Sequence, residues 1–438
     1  MFQLLPNNMS VLVILLIVLY ELQKRLDQGV PLLQLAGLIA VLQWLVGPVL
    51  NYSSDISFGR YSMYVPEKVY FAFAIPATAF FVCIMLVTGA SIKQKNLLQS
   101  VKRNDFVIIG ASLNLVAIGA GLAAPYVGGG LQFLLFLLSQ TRYVGALYFL
   151  FSRSPWRVVL AAASCFSLFS MSLAIGVFHD LILWASIIFC YWFAQRHWPV
   201  QIKLFLLALS CVILFSIQVI KQEYRERIRL DENPSIISMV ISYVTPGGKA
   251  WETDSLKMVI TRLNQGWIIS AVMANVPENE PYAKGSTISE AVLVSLAPRF
   301  LWADKKIAGG RDNFMKFTGL QIGRGTSMAI SPLGEAYANF GSLGGTVFLC
   351  LFGAFFSAFY YGTLRYALKH PTFLFWIPLI FYQAIKAESE LSVVLNQLTK
   401  GALVAFAGHY FVGLVFPVRY LTSTVADAKG LARVVKSA

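Results

Sequence analysis

Residues 342–362 read SLGGTVFLCLFGAFFSAFYYG and are the clearest indication of the fold class. This stretch contains no Asp, Glu, Lys or Arg. A helix that crosses a bilayer needs about 20 consecutive, predominantly apolar residues. The stretch is therefore long enough and apolar enough to predict a membrane-spanning helix.

Similar apolar runs recur along the whole chain. Hydrophobic residues make up 57% of the sequence, charged residues 13%, and the mean hydropathy is +0.66. Soluble domains contain about 25% charged residues, so the composition excludes an ordinary soluble enzyme and a disordered chain. We predict an all-α polytopic integral membrane protein with about 11 transmembrane helices. The predicted spans are 4–20, 31–50, 69–89, 106–124, 131–151, 157–176, 180–195, 202–220, 342–362, 372–388 and 401–417.

The distribution of Lys and Arg predicts how these helices are oriented. The chain carries 35 Lys and Arg against 21 Asp and Glu, a net charge of +14. The basic residues concentrate in alternate connections and in the C-terminal tail, which is typical of the cytoplasmic side, so we expect lipid headgroups rather than nucleic acid as their partners. The N-terminus is then outside and the C-terminus inside. The predicted regions are 1–220, an N-terminal bundle of about eight spans; 221–341, an extracytoplasmic loop; 342–417, a C-terminal bundle of about three spans; and 418–438, a cytoplasmic tail.

The loop at 221–341 is too long to lack structure. Apolar residues at helical spacing predict one helix that begins at residue 253 or 254 and ends near residue 274. The capping-box pattern of Thr287 and Glu290 predicts a second helix start. Ser331 followed by Pro332 predicts a third, which continues into the span at 342–362. Within 157–195 two interpretations stay open, namely two short spans or one re-entrant pair.

Two arginines of the loop are candidates for binding phosphate groups. Arg262 lies within an otherwise apolar amphipathic helix, and Arg299 follows Pro298 and precedes an apolar, aromatic stretch. The planar guanidinium fork of Arg matches the oxygen atoms of phosphate and diphosphate. The alternative is that both side chains extend to lipid headgroups.

Few acidic residues are placed to act on a substrate. Glu335 lies where the loop re-enters the membrane and is a candidate general base, although an acid in the first helical turn also interacts favourably with the helix dipole. Glu388 and Glu390 flank the end of the span at 372–388 beside Lys386. These two carboxylates either line the same cavity or pair with that lysine.

Two further polar residues fall within predicted spans. A charge such as Arg142 near the middle of a span indicates a functional site, or alternatively a broken helix. A lone histidine such as His409 is more often a packing residue, and we predict a structural role for it. The five cysteines lie in apolar runs without metal-ligand spacing, so we expect neither disulfides nor a metal or other cofactor.

Three motifs of the loop resemble those of a known family. They begin at Arg262 (RLNQG), at Pro298 (PRFLW, with Lys305) and at Gly323 (GRGTSMAISPLGEAYANFG). They resemble motifs of the O-antigen and exopolysaccharide repeat-unit polymerases of the Wzy type. The resemblance covers residues 255–345 in detail, and the many-span layout extends it over the chain. It implies a GT-C-like fold in the bacterial inner membrane, with the loop in the periplasm.

The resemblance also implies a reaction and roles for particular residues. Family members join undecaprenyl-diphosphate-linked oligosaccharides without a nucleotide sugar. The implied roles are Glu335 as catalytic base; Arg262, Arg299 and Arg324 as diphosphate ligands; and Tyr337, Asn339 and Trp302 as sugar-binding residues. Trp302, like Trp267, would otherwise anchor at the membrane interface.

Two alternative functions stay open at this point. An O-antigen ligase uses the same lipid-diphosphate donor but transfers the polysaccharide to lipid A core. A flippase or transporter for lipid-linked oligosaccharides would perform no chemistry, although internal repeats and several intramembrane charges are more typical of that class. The implied partners of a polymerase are the lipid-linked oligosaccharide, the bilayer, and potentially a chain-length regulator and a flippase.

Overall fold

The structure, a computed structural model, describes most of the predicted membrane helices and much of the loop after residue 252. The described residues are 6–26, 28–54, 56–87, 94–99, 101, 105–175, 179–195, 199–206, 208–209, 253–296, 310–323 and 326–416. Within these ranges the regular elements are helices and no strand is formed. The predicted all-α class is confirmed for this part of the chain.

The helices follow one another through short connections. In the N-terminal region they are α1 Asn7–Leu26, α2 Leu32–Val41, α3 Gly47–Ser53, α4 Glu67–Val87, α5 Gln94–Gln99, α6 Phe106–Ala123, α7 Gly129–Ser139, α8 Thr141–Leu150, α9 Arg157–Ile175 and α10 His179–Ala194. In the loop and the C-terminal region they are α11 Thr253–Leu263, α12 Gly266–Asn275, α13 Ser286–Leu296, α14 Arg311–Thr318, α15 Ser331–Lys369, α16 Ile377–Phe381 and α17 Leu391–Val415.

Among the described residues, six apolar helical segments are long enough to cross a membrane. They are Leu32–Ser53, Glu67–Val87, Phe106–Tyr126, Leu131–Leu150, Ser331–Lys369 and Leu391–Val415. Several carry large apolar side chains on an exposed face, such as Leu115 at 70% and Leu343 at 83% exposure. A soluble protein rarely leaves large contiguous apolar patches in water. The described chain therefore has the features of a helical membrane protein.

Helix α15 is two helices joined by a sharp fold at Gly341. Gly341 has φ 67° and ψ −162°, a conformation that other residues rarely adopt. A Cβ atom on Gly345 would lie 3.0 Å from the backbone of Ala336. Residues nine apart in a straight helix would be about 13 Å apart along its axis. The part before Gly341, which carries Glu335, is therefore folded back against the part that follows it.

The predicted span at 372–388 is not a continuous helix. A 3₁₀ turn at Pro371–Phe375 and the short helix α16 replace it, and turns connect α16 to α17. The segment 373–382 is almost completely buried. Irregular backbone at membrane depth is tolerated where surrounding protein covers it. The last long helix begins at Leu391, ten residues before the predicted start of its span.

Two further predicted regions each form a pair of helices. The region 157–195 forms two helices, α9 and α10, and both interpretations contain such a pair. The helix predicted over 253–274 is divided into α11 and α12.

Arg142 marks a break, because α7 ends at Ser139 and the Arg142 Nε donates a hydrogen bond to the Ser139 carbonyl at 2.9 Å. The predicted span at 202–220 lies outside the described residues beyond position 209.

The second predicted helix start is confirmed to within one residue. Helix α13 begins at Ser286, so Thr287 is its second residue rather than its N-cap. The Thr287 hydroxyl instead accepts a hydrogen bond of 2.7 Å from the Asn339 side-chain amide. The predicted start at Ser331 and Pro332 is confirmed. His409 is buried and lies 3.0 Å from the Thr372 hydroxyl, which agrees with a structural role.

Candidate functional site

A cleft of about 890 Å³ opens between the loop helices and the turn that precedes α17. One wall is formed by α11, the start of α12 and Tyr61. The opposite wall is formed by the segment Ser327–Ala329 and by residues of the turn from Gln383 to Ser389. Pockets of roughly 300–1,000 Å³ are typical of small-molecule sites. The volume of this cleft is sufficient for part of a large amphiphilic ligand.

Basic side chains dominate the charge of the cleft. Lys257 and Arg262 come from α11, and Lys386 comes from the turn, whereas Glu388 is the acidic side chain among the described lining residues. Lys257, Met258, Thr261 and Arg262 lie along one side of α11, since residues three and four apart share a helix face. Arg262 is exposed there and makes no ion pair with a described residue. The cleft is therefore suited to an anionic ligand.

A π-helical turn at Leu42–Val46 supports the cleft from behind. Such turns are uncommon and occur frequently at functional sites. The Gln43 carbonyl accepts a hydrogen bond of 3.1 Å from the Gln265 backbone N–H. The Trp44 indole N–H donates to the Ala387 carbonyl at 3.2 Å. The π-helical turn thus contacts both the junction between α11 and α12 and the segment that carries Glu388.

Glu388 is held between two side-chain amides. Its Oε2 atom accepts hydrogen bonds of 3.4 Å from the Nε2 atoms of Gln43 and Gln265. Lys386 forms its ion pair with Asp180 of α10 at 2.7 Å, and its ammonium lies 4.5 Å from the centre of the Tyr382 ring. Glu388 therefore lines the cavity, as the first of the two interpretations left open by the sequence has it, and the ion pair of Lys386 is with Asp180.

Aromatic side chains close one end of the cleft. Tyr61 meets Trp267 edge to face, with the ring centres 5.2 Å apart, and Trp267 packs on Phe314 of α14 at 6.2 Å. Trp267 is largely buried but lines the cleft. Its ring therefore presents a small apolar surface next to the polar groups of the site.

Glu335 lies behind the cleft and does not line it. Its carboxyl group is 1% exposed, and its Oε2 atom accepts a hydrogen bond of 3.1 Å from the backbone N–H of Leu391, the first residue of α17. The neighbouring Glu390 is also buried and accepts hydrogen bonds from the side chains of Asn313 and Ser392. The Glu335 carboxyl therefore satisfies one of the N–H groups that the start of α17 leaves without a helical partner.

Two of the residues predicted to bind sugar, Tyr337 and Asn339, are also buried and do not line the cleft. Tyr337 packs on Phe73, with ring centres 5.2 Å apart. The Asn339 side chain accepts a hydrogen bond from the Gly285 N–H at 2.9 Å and donates to the Thr287 hydroxyl and the Glu335 carbonyl. Its amide binds the loop ahead of α13 to the folded-back part of α15. Arg299, Trp302 and Arg324 lie outside the described residues.

The sequence does not predict a role for two residues that line the cleft, Lys257 and Gln265, or for Gln43, which contacts Glu388. Gln43 belongs to no recognised motif, Gln265 lies within the RLNQG motif but has no role predicted from it, and Lys257 resembles an ordinary solvated lysine. Gln43 is 345 positions away from Glu388 in the chain, so no local pattern connects them. The one available signal was the polar Gln43 within an otherwise apolar run.

Replacing Gly266 with Ala is expected to destabilise the junction between α11 and α12. A Cβ atom at this position would lie 2.2 Å from Cγ of Pro48 and 2.7 Å from the Tyr70 hydroxyl oxygen. Because the surrounding atoms have no room to yield, we expect a loss of about 1–3 kcal/mol, measured as a lower unfolding temperature in detergent. Gly362→Ala is the control, since its Cβ would meet no atom within 4 Å. Equal unfolding temperatures for both variants would contradict this packing.

A family profile described as a domain of unknown function, DUF8712, matches residues 68–362, more than half of the chain. The matched region begins at α4 and ends within α15, so it includes α11, α12 and Arg262. No curated protein and no solved structure matches the sequence.

Proposed function

The chain belongs to the DUF8712 family, and we propose that it is a membrane glycosyltransferase that polymerises undecaprenyl-diphosphate-linked oligosaccharide repeat units. The observation that supports this proposal best is the cleft with Arg262, Lys257 and Lys386 on its walls. It lies beside the start of α17, one of the long apolar helices. A lipid diphosphate carries its charge at the depth where a membrane helix begins. The cleft suits such a group.

The proposed reaction needs stabilisation of a leaving group. As the bond between the sugar and the diphosphate breaks, negative charge develops on the departing oxygen. Cationic side chains placed at that position lower the barrier, because they interact more strongly with the transition state than with the bound substrate. Arg262 is our first candidate for this role, together with Arg299 and Arg324 from the family resemblance. In this proposal the basic side chains perform the neutralisation, without a metal cofactor.

The proposal extends to the architecture and its orientation. We propose about eleven spans in a GT-C-like arrangement, with the N-terminus in the periplasm, the C-terminus in the cytoplasm and residues 221–341 in the periplasm. The location is the bacterial inner membrane. The partners are the lipid-linked oligosaccharide, a chain-length regulator and a flippase. The concentration of Lys and Arg in alternate connections and in the C-terminal tail supports this orientation.

The decisive experiment is polymerisation with purified components. The protein is reconstituted into liposomes together with undecaprenyl-diphosphate-linked repeat units isolated from the source organism. We expect a ladder of products that differ by one repeat unit. Transfer to added lipid A core without a ladder would instead identify a ligase. Movement of the lipid-linked unit across the bilayer without any new glycosidic bond would identify a flippase.

A further inference from the structure

The turn from Tyr382 to Glu390 presents one of its two glutamates to the cleft. We infer that this residue, Glu388, is the group that removes the proton from the acceptor hydroxyl, an inference that rests on the proposed function. Glu388 lines the cleft, whereas Glu390 is 4% exposed and points into the protein. The two side chains, two residues apart, therefore have different environments and different functions.

The surroundings of Glu388 fix its orientation. The side chains of Gln43 and Gln265 both donate to the same carboxyl oxygen, Oε2, at 3.4 Å. Gln43 belongs to the π-helical turn, and Gln265 is tied to that turn through its own backbone N–H. A general base must be positioned before the reaction begins, because its contribution depends on geometry as well as on proton affinity. These contacts provide that positioning without adding a charge next to the carboxylate.

The other carboxyl groups near the cleft accept hydrogen bonds from groups of the protein. Glu335 accepts from the first N–H of α17, and Glu390 accepts from Asn313 and Ser392. Asp180 accepts from Lys386 at 2.7 Å. Among the described residues, Glu388 is thus the carboxylate that shares the cleft with the basic side chains of α11.

In the proposed glycosyl transfer, Glu388 accepts the proton of the acceptor hydroxyl. The oxygen of a sugar hydroxyl on the acceptor unit forms a bond with the anomeric carbon of the donor. The bond between that carbon and the diphosphate oxygen breaks, and the lipid diphosphate leaves with the electron pair beside Arg262. The hydroxyl proton passes to the Glu388 carboxylate and from there to water in the cleft. No oxidant, reductant or further reactant is needed.

The test compares Glu388 variants in the polymerisation assay. Glu388→Gln retains the size and an acceptor oxygen but loses the basicity, so we expect the rate to fall by about 10²–10⁴-fold. Equilibrium binding of a radiolabelled lipid-linked unit should remain at the wild-type value. Glu278→Gln, on an exposed turn, is the matched control and should retain full activity.

A second variant separates a chemical role from a structural one. Glu388→Ala removes the carboxylate, and added formate can enter the vacated space and accept the proton in its place. We expect formate to restore part of the rate to Glu388→Ala and none to Arg262→Ala. Wild-type activity of Glu388→Gln, or a loss in Glu388→Ala that formate leaves unchanged, would overturn the assignment. If the wild-type protein forms no ladder, the proposed function itself fails, and the assignment fails with it.

Discussion

Replacing Arg262 with Ala is expected to reduce the rate of polymer formation by about 10²–10³-fold, the loss typical when one group that stabilises developing negative charge is removed. Arg262 is exposed on the wall of the cleft, opposite the turn that carries Glu388. The Arg262→Lys variant keeps the charge but loses the two parallel donors of the guanidinium. For this variant we expect a smaller loss, of about tenfold, since one hydrogen bond to the diphosphate is lost. Ladder formation in liposomes measures both effects.

The control for Arg262 is an arginine at the other end of the bundle. Arg365 is exposed near the end of α15, far along the chain from Gly341. Arg365→Lys should polymerise like the wild type, which separates a specific role from a general effect of exchanging the two residues. If Arg262→Ala and Arg262→Lys both retain full activity, Arg262 contacts lipid headgroups, and the diphosphate is bound elsewhere in the cleft.

The apolar helices could be predicted from the sequence because hydropathy is a local property. A run such as 342–362 needs no information from other parts of the chain to be recognised as a membrane helix. The breaks in these helices are different. Gly341 allows α15 to fold back, and Gly266 allows α12 to begin against Pro48. Both depend on contacts between distant segments, which a single sequence does not display.

The residues of the candidate site also differ in whether the sequence alone predicts their roles. Arg262 was predicted because an arginine in an apolar amphipathic helix is unusual by itself. The burial of Glu335 is determined by the start of α17, 56 residues later in the chain, and could not be inferred from its own neighbours. Gln43 was not anticipated either, since its role depends on the π-helical turn and on Glu388. The sequence alone therefore does not predict residues whose roles depend on partners far away in the chain.

Variants of Glu335 distinguish a structural carboxyl group from a catalytic one. The Glu335→Gln side chain keeps an oxygen that can accept from the Leu391 N–H, so we expect the free energy of unfolding to change by less than about 1 kcal/mol. Glu335→Leu leaves this buried N–H without its acceptor. Loss of the partner of a buried donor costs about 1–3 kcal/mol, and we expect a correspondingly lower unfolding temperature in detergent.

The activity of the same two variants separates a structural role of Glu335 from a catalytic one. If Glu335 holds the start of α17, Glu335→Gln should retain polymerisation within about tenfold of the wild type, whereas loss of a general base costs about 10²–10⁴-fold. Glu335→Leu should lose activity in parallel with its stability, because α17 begins directly after the turn that carries Glu388. A large loss of activity in Glu335→Gln at an unchanged unfolding temperature would contradict the structural role. It would restore Glu335 as the base predicted from the sequence, with a path to the cleft that opens when substrate binds.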